Sequence, residues 1–211
     1  MPQAFDTLIA TAAPIMRENI DTDVIIRIER LVGNSIRGKL GKWAFGSLRY
    51  LPDGSENPSF ILNREPYRQA EILVTGPNFG CGSSREGAVW ALQEQGIRAI
   101  IGSSFGDIFF ANCFQNGILP VVLDKQLVEQ IASEVEATQG AGKIAIDLEA
   151  QTVTTPIGIT HSFPIDPRRR AGLLEGIDEI KLTLRRDADI RAFQAEDRKR
   201  RPWIYLEGRI S

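Results

Sequence analysis

Apolar and polar residues alternate in blocks along the middle of the chain. Helical spacing is found at 84–95 and 107–116, and the glycines that follow, Gly96 and Gly117, are typical of helix ends. Strand, helix, strand, helix and strand with short connections predict parallel pairing through right-handed crossovers. Three short apolar runs are the predicted buried strands: 71–75, 98–102 and 119–123.

The flanking regions are less regular. The apolar run 24–26 predicts a short strand, and 33–60 is rich in Gly, Pro, Asn and Ser, which predicts a loop-rich excursion. Asp124 can cap a helix that runs to about Thr138. Short antiparallel strands are predicted at 143–148, 151–154 and 157–160. Two further helices are predicted at 166–172 and at the charged segment 187–201.

The chain organisation indicates one unit. The sequence of 211 residues contains no internal repeat and no interdomain linker, and this length suits one full-sized domain. We therefore expect a single α/β domain over 1–211, with the excursion at about 33–60 and a charged C-terminal helix. Its central sheet should be mainly parallel and flanked by helices, with short antiparallel strands added.

Composition and charge exclude several classes of function. Hydrophobic residues make up 43% of the chain and charged residues 25%, which is typical of a globular protein. The net charge of −2 disfavours nucleic acid as the main partner. The N-terminus lacks the pattern of a signal peptide, and no apolar run approaches the roughly 18 residues of a membrane span. We expect a cytoplasmic protein that binds neither membrane nor nucleic acid.

Metal-binding side chains are scarce. The chain has two cysteines, Cys81 and Cys113, and one histidine, His161. Two cysteines cannot hold an iron–sulfur cluster alone, because such clusters take about four ligands, most of them thiolates. One histidine rules out a His-rich site. We expect this chain to bind no metal by itself, and we expect Cys113, inside an apolar helix, to be part of the core.

The loop 76–86, GPNFGCGSSRE, is the best candidate for chemistry. Its glycines let the backbone approach a ligand, and the helix that follows offers unpaired N–H groups and partial positive charge. Ser83, Ser84 and Arg85 would face this candidate anion-binding site, and Arg85 could hold a carboxylate with two hydrogen bonds. In the structural alternative, Ser83 and Glu86 form a capping box and the glycines only turn the chain. The two interpretations are compatible, and both stay open.

This loop and other segments resemble the swivel domain of the aconitase superfamily, and more closely the small-subunit family of the 3-isopropylmalate dehydratases. The resemblance implies a swivelling β/β/α domain in a hydro-lyase of leucine biosynthesis. That enzyme isomerises 2-isopropylmalate and 3-isopropylmalate by dehydration and rehydration. The matching segments follow one another in order: 19–26 (NIDTDVII), 57–63 (NPSFILN), 76–121 (starting GPNFGCGSSRE) and 165–184 (IDPRRRAGLLEGIDEIKLTL).

The resemblance also implies a partner and roles for individual residues. A separate large subunit would carry a [4Fe–4S] cluster, which agrees with the low cysteine count, and the substrate would be a small hydroxy-dicarboxylate. Ser83 would be the base that removes a carbon-bound proton, Ser84 would add a hydrogen bond, and Arg85 would clamp a substrate carboxylate. Asp23 would be the active-site aspartate, although a turn or cap role is an alternative. Arg37 would face the variable group of the substrate.

Two positions depart from the family's pattern. Gly87 stands where the family usually has histidine after Ser-Arg-Glu, and Arg27 replaces the proline that usually follows the isoleucine pair. These changes leave a related dehydratase substrate, homoaconitate or 2-methylmalate, as an alternative. A non-catalytic anion-binding module is the alternative from a different functional class.

Overall fold

The computed structural model describes residues 3–32, 37–177 and 179–205, so 33–36 of the predicted excursion lie outside the described residues. Its strands are β1 (Thr7–Ile15), β2 (Ile72–Thr75), β3 (Ala99–Gly102), β4 (Leu119–Val122), β5 (Lys143–Asp147), β6 (Thr152–Thr154) and β7 (Thr160–Ser162). Its α-helices are α1 (Thr22–Ile25), α2 (Gly46–Arg49), α3 (Glu86–Gln95), α4 (Asp107–Gln115), α5 (Lys125–Ala137), α6 (Pro167–Glu175), α7 (Glu179–Leu184) and α8 (Asp187–Arg200).

One mixed sheet organises these elements in the order β4-β3-β2-β1-β5-β6-β7. Strands β1 to β4 are parallel to one another, and β5, β6 and β7 continue the sheet with antiparallel pairing. The predicted α/β class, with a mainly parallel centre and added antiparallel strands, is confirmed. Since the parallel strands run side by side, the loops that leave them meet at one edge of the sheet.

Strand β1 is the junction between the two halves, and the sequence pattern did not predict it. Its residues 7–11 pair with β5, whereas residues 12–15 pair with β2. The strand is rich in alanine and contains Pro14, so its intrinsic strand propensity is low. Pro14 is tolerated because it lies beyond the stretch that pairs with β5. Tertiary packing therefore decides the conformation of this segment.

The core lies around the parallel strands. All residues of β2 and β3 are buried, as expected for strands covered on both faces. Helix α5 contacts β1, β2 and β3, and it begins where predicted, because the Asp124 carboxylate accepts a hydrogen bond from the Gln126 N–H at 2.9 Å. Gly96 ends α3 in the left-handed conformation (φ 104°), again as predicted.

The predicted strand at 24–26 is wrong. Residues Thr22–Ile25 form the short helix α1, because the Asp21 side chain accepts a hydrogen bond from the Val24 N–H at 2.8 Å. Local capping therefore outweighs the strand propensity of the valine and isoleucines. Ile25 and Ile26 are buried.

The last predicted strand is displaced along the chain. Residues 157–159 belong to a turn closed by two hydrogen bonds, from the Gly158 N–H to the Thr155 carbonyl and from the Thr155 N–H to the Ile159 carbonyl. Strand β7 therefore starts at Thr160. The turn extends further than the Pro-Ile-Gly sequence indicated.

The described part of the excursion is anchored on α3 by one carboxylate. Glu94 accepts hydrogen bonds from the main-chain N–H groups of Gly38 at 2.7 Å, Leu40 at 2.5 Å and Gly41 at 3.3 Å. At Gly41 the two backbones are so close that an added Cβ would lie 2.5 Å from the Glu94 carbonyl oxygen. The loop-rich segment is thus fixed to the end of α3, the helix that follows the loop 76–86, which we call the serine loop.

Gly41→Ala should destabilise the protein by about 1–3 kcal/mol, because the new methyl group overlaps main-chain atoms of Glu94. The matched control is Gly46→Ala, since a Cβ there has Trp43 Cε3 as its nearest neighbour at 4.0 Å. Urea unfolding of both variants measures the difference. Equal unfolding free energies would contradict the close approach of the excursion to α3.

Candidate active site

Main-chain hydrogen bonds continue the β1–β2 pairing beyond the carboxyl ends of both strands. They join residues 19–22, which follow β1, to residues 77–81, which follow β2, and we call this arrangement the loop ladder. Its three bonds run from Asn19 N to Pro77 O at 3.0 Å, from Gly80 N to Ile20 O at 2.7 Å and from Thr22 N to Cys81 O at 2.9 Å. The serine loop is therefore hydrogen-bonded to residues 19–22 from Pro77 onward.

A side-chain bond extends the loop ladder to the candidate base. The Thr22 hydroxyl donates to the Ser83 carbonyl oxygen at 2.9 Å. Thr22 is buried and belongs to α1, so the hydroxyl fixes the main chain at Ser83 to a packed element. Sequence reasoning did not identify Thr22, because its role depends on a contact between residues 61 positions apart.

Gly80 is required by close packing behind the loop. It has φ 73°, and an added Cβ would lie 2.2 Å from the ring of Phe109. The loop that follows β3 is hydrogen-bonded to the serine loop at Phe79. The Phe79 N–H donates to Ser104 O at 3.2 Å, and the Gly106 N–H donates to Phe79 O at 2.9 Å. The loops after β1, β2 and β3 are thus hydrogen-bonded side by side.

Ser83 lies on the surface with its hydroxyl free. Among the described residues that hydroxyl has no hydrogen-bond partner, and the main-chain N–H groups of Ser83, Ser84 and Arg85 have no acceptor. The predicted capping box of Ser83 and Glu86 is wrong, because α3 starts at Glu86 after Arg85, without a side-chain cap. Free donors close to a helix N-terminus favour the binding of an anion there.

Arg85 and Asp23 form an ion pair across the two loops. The Arg85 Nη1 donates to the Asp23 carboxylate; the arginine side chain is 18% exposed and the aspartate side chain 54%. Asp21, not Asp23, caps α1, so the cap alternative for Asp23 is wrong. The pair fixes the direction of the guanidinium and leaves its other N–H donors available.

Arg37 lies on a different surface of α3. Its guanidinium covers the Trp90 ring at 4.0 Å from the centroid and donates to Gln93 Oε1 at 3.3 Å and to Asn116 Oδ1 at 3.2 Å. Asn116 in turn donates to the Glu86 carboxylate at 2.9 Å. The structure therefore brings Ser83, Arg85 and Asp23 together and connects Arg37 to them only through Asn116 and the start of α3.

Leu31 occupies the space that a side chain at position 87 would need. A Cβ built on Gly87 would lie 2.6 Å from Leu31 Cδ2 and 2.7 Å from Cδ1. Glycine at position 87 is thus accompanied by an apolar side chain that covers the first turn of α3. This partner could not be found from sequence, because the contact joins a loop to a helix 56 residues away.

The described residues do not form a metal centre. They contain no group of three or more His, Cys, Asp or Glu side chains that could hold a metal ion. Cys113 is fully buried in α4, and burial raises the pKa of its thiol well above the ordinary value, so it is a core residue as predicted. No helix in the described part of the chain is long and apolar enough to cross a membrane.

Family models match consecutive parts of the chain. The model of the aconitase C-terminal domain matches residues 3–126. A model described as LeuD_N matches residues 129–167, and the model of the C-terminal domain of 3-isopropylmalate dehydratase small subunits matches residues 179–205. The superfamily indicated by the loop sequence is therefore confirmed over more than half of the chain.

Three curated relatives similar to this chain carry the name 3-isopropylmalate dehydratase small subunit. The relative from Gluconacetobacter diazotrophicus is 48% identical over 201 residues, which cover 95% of this chain and 96% of its own length. The relative from Gluconobacter oxydans is 50% identical over 95% of this chain and 94% of its own length. The relative from Saccharophagus degradans is 47% identical over 96% of this chain and 98% of its own length.

A solved structure shows the same fold. The 3-isopropylmalate dehydratase structure from Methanocaldococcus jannaschii superposes with a TM-score of 0.63 at 23% sequence identity. The superposition covers 88% of this chain and 99% of that chain. The swivel-type architecture expected from the sequence is therefore confirmed.

Gly87→His should destabilise the protein, because the imidazole and Leu31 need the same space. Leu31→Ala should recover part of that loss in the double variant. We expect a favourable coupling of about 0.5–3 kcal/mol, the range for residues in contact. Thermal or urea unfolding of the wild type, both single variants and the double variant gives this value. Strictly additive effects would show that Leu31 and position 87 do not share the space.

Proposed function

Since the chain belongs to the family of 3-isopropylmalate dehydratase small subunits, we propose that it interconverts 2-isopropylmalate and 3-isopropylmalate together with a large subunit. The small subunit supplies the proton-transfer half of the site. The observation that carries this proposal is the position of Ser83, which has an exposed, unbonded hydroxyl beside free main-chain N–H groups. The loop ladder fixes that position before any partner binds.

The expected [4Fe–4S] cluster belongs to the large subunit in this proposal. The described residues of this chain include no suitable ligand group, and its two cysteines lie on different elements: Cys81 in the serine loop and Cys113 in α4. On the large subunit the cluster would supply Lewis acidity at the departing hydroxyl. The groups of this chain would act on the proton and on the substrate carboxylates.

Ser83 acts as the base in its alkoxide form. It takes the proton from the carbon next to a carboxylate, and the electrons of that C–H bond form the double bond as the hydroxyl leaves the neighbouring carbon. Addition of water in the opposite sense completes the isomerisation. A serine alkoxide needs stabilisation near neutral pH, and the free N–H groups at 83–85 and the Arg85 guanidinium are fixed donors that can provide it.

The neighbouring residues bind and orient the substrate. Arg85 pairs with one substrate carboxylate through the donors that Asp23 leaves free, and Asp23 holds the guanidinium in place. Ser84 adds a hydrogen bond, and Arg37, which is connected to the site through Asn116 and Glu86, would face the variable group of the substrate. Leu31 in the place of an imidazole makes the surface over α3 apolar, which favours an isopropyl substituent over the additional carboxylate of homoaconitate.

We further propose that residues 1–211 act as one swivel-type domain in the cytoplasm. The proposed substrate is a small hydroxy-dicarboxylate, and the proposed partner is a second polypeptide, the large subunit. Under this proposal 2-methylmalate is a weaker substrate, because its single methyl group buries less apolar surface against Leu31 than an isopropyl group does.

Ser83→Ala should lower the turnover number of the reconstituted enzyme by about 100-fold to 10,000-fold, the range for loss of a general base. The purified chain is mixed with its large subunit, and isomerisation is followed by the absorbance of the unsaturated intermediate. Ser133→Ala is the matched control, since Ser133 is an exposed residue of α5 whose hydroxyl bonds only to the Glu129 carbonyl.

Two results would contradict the proposal. Full turnover in Ser83→Ala, with the complex intact by size-exclusion chromatography, would remove Ser83 from the role of base. A wild-type complex that converts homoaconitate but not isopropylmalate would leave the hydro-lyase chemistry in place and overturn the assignment of substrate.

A further inference from the structure

A cationic cleft is lined by residues that follow α1, Arg27 and Arg30, and by residues between 42 and 54 of the excursion. Its volume is about 720 Å³, and its positive side chains are Arg27, Arg30 and Lys42. The described residues that line it include no carboxylate. The chain as a whole has a net charge of −2, so this concentration of positive charge is a local property of the cleft.

The cations are only partly compensated by the chain itself. Arg27 pairs with Glu29 at 3.0 Å, and this contact raises the pKa of the guanidinium. Arg30 and Lys42 have no carboxylate partner among the described residues. Their neighbour is the Trp43 ring, with Arg30 at 3.5 Å and Lys42 at 5.3 Å from its centroid. The Trp43 ring thus positions the two cationic side chains, and their charges stay available to a ligand.

The residue types in the cleft are those of protein interfaces. Trp43 and Tyr50 make an edge-to-face contact at 5.7 Å, and the Tyr50 hydroxyl bonds to the Lys42 carbonyl at 2.8 Å, which makes the wall rigid. Tryptophan, tyrosine and arginine are the side chains most enriched among residues that dominate binding energy. Among the lining residues Leu51 is 40% exposed, and two residues close in sequence to Arg27 and Arg30 are exposed apolar side chains: Ile28 is 47% and Val32 74% exposed. A small inorganic anion would use none of this apolar surface.

One end of the cleft is near the candidate active site. Arg27 directly follows Ile26, the C-cap of α1, and α1 carries Asp23 in its first turn. Asp23 also contributes to the electrostatic environment of Arg27. A partner that binds over Asp23 therefore has Arg27, a lining residue of the cleft, close by.

We propose that the cleft binds a carboxylate-bearing segment of the large subunit, with Arg30 and Lys42 as the main charge partners. The proposal rests on the function proposed above, because it takes the large subunit as the partner. Acidic side chains of that segment complement the two cations, and apolar side chains next to them cover Trp43, Ile28 and Val32. The contact steers the two subunits into the orientation that closes the active site.

The test measures the affinity of the two subunits by isothermal titration calorimetry. Arg30→Glu and Lys42→Glu should each weaken binding of the large subunit about tenfold or more, because each places like charges opposite one another. Arg30→Lys should bind almost as the wild type does, since it keeps the cation. Arg168→Glu is the matched control, because it reverses an exposed arginine in the first turn of α6, outside the cleft.

Salt dependence gives a second readout. Added sodium chloride should weaken the wild-type complex more steeply than the complexes of the two charge-reversed variants, because these lack the screened attraction. Circular dichroism melting curves confirm that each variant is folded. An affinity and a salt dependence unchanged in Arg30→Glu and Lys42→Glu would overturn the proposal.

Further outcomes separate this inference from the proposed function. Binding of inorganic phosphate to the isolated chain, lost in Arg30→Glu while the affinity between the subunits is unchanged, would make the cleft a small-anion site and overturn the proposal. If the wild-type enzyme is active and Arg30→Glu and Lys42→Glu bind the large subunit as tightly as the wild type does, the docking proposal fails and the proposed function stands. A complex that weakens on charge reversal but does not isomerise isopropylmalate would support the cleft and overturn the proposed reaction.

Discussion

The candidate active site depends on main-chain pairing that does not stop where the sheet stops. Parallel strands β1 and β2 are followed by two loops that continue to exchange hydrogen bonds through the loop ladder, at 2.7 to 3.0 Å. Loops normally gain mobility as they leave a sheet, and here the ladder removes that freedom up to Cys81. The Thr22 hydroxyl then carries the constraint to Ser83. A serine that must act as a base needs such fixed surroundings, since electrostatic stabilisation of an alkoxide requires donors that are already oriented.

In the proposed function the same arrangement forms only half of the active site. The fixed donors and the Asp23–Arg85 pair lie at the surface, where water competes with every hydrogen bond. A second polypeptide that covers this surface lowers the local polarity and makes the same donors more effective. In the inference proposed above, the cationic cleft beside α1 would bind the covering chain without using Ser83 or Arg85. Division of the enzyme into two chains is therefore consistent with a rigid but open half-site.

Much of this could be predicted from local sequence, and the exceptions have one physical cause. The alternating middle region predicted strands β2 to β4 and helices α3 and α4, because burial patterns and terminal glycines are local signals. Strand β1 was missed because its alanines and Pro14 are favourable only in their tertiary setting. Residues 24–26 were predicted wrongly because Asp21 caps a helix there. Within the site, Ser83, Arg85 and Asp23 were predicted from motifs, whereas Thr22 and Leu31 act through contacts between distant segments that only the fold reveals.

Native-state amide hydrogen exchange of the isolated small subunit tests the central claim most directly. The amides of Gly80 and Thr22 donate the two shorter bonds of the loop ladder. If the half-site is already formed before the partner binds, both amides should exchange as slowly as amides of the buried strand β2. Exchange at the rate of an unstructured peptide, with protection gained only after the large subunit is added, would contradict a preformed site and would mean that the partner orders the serine loop.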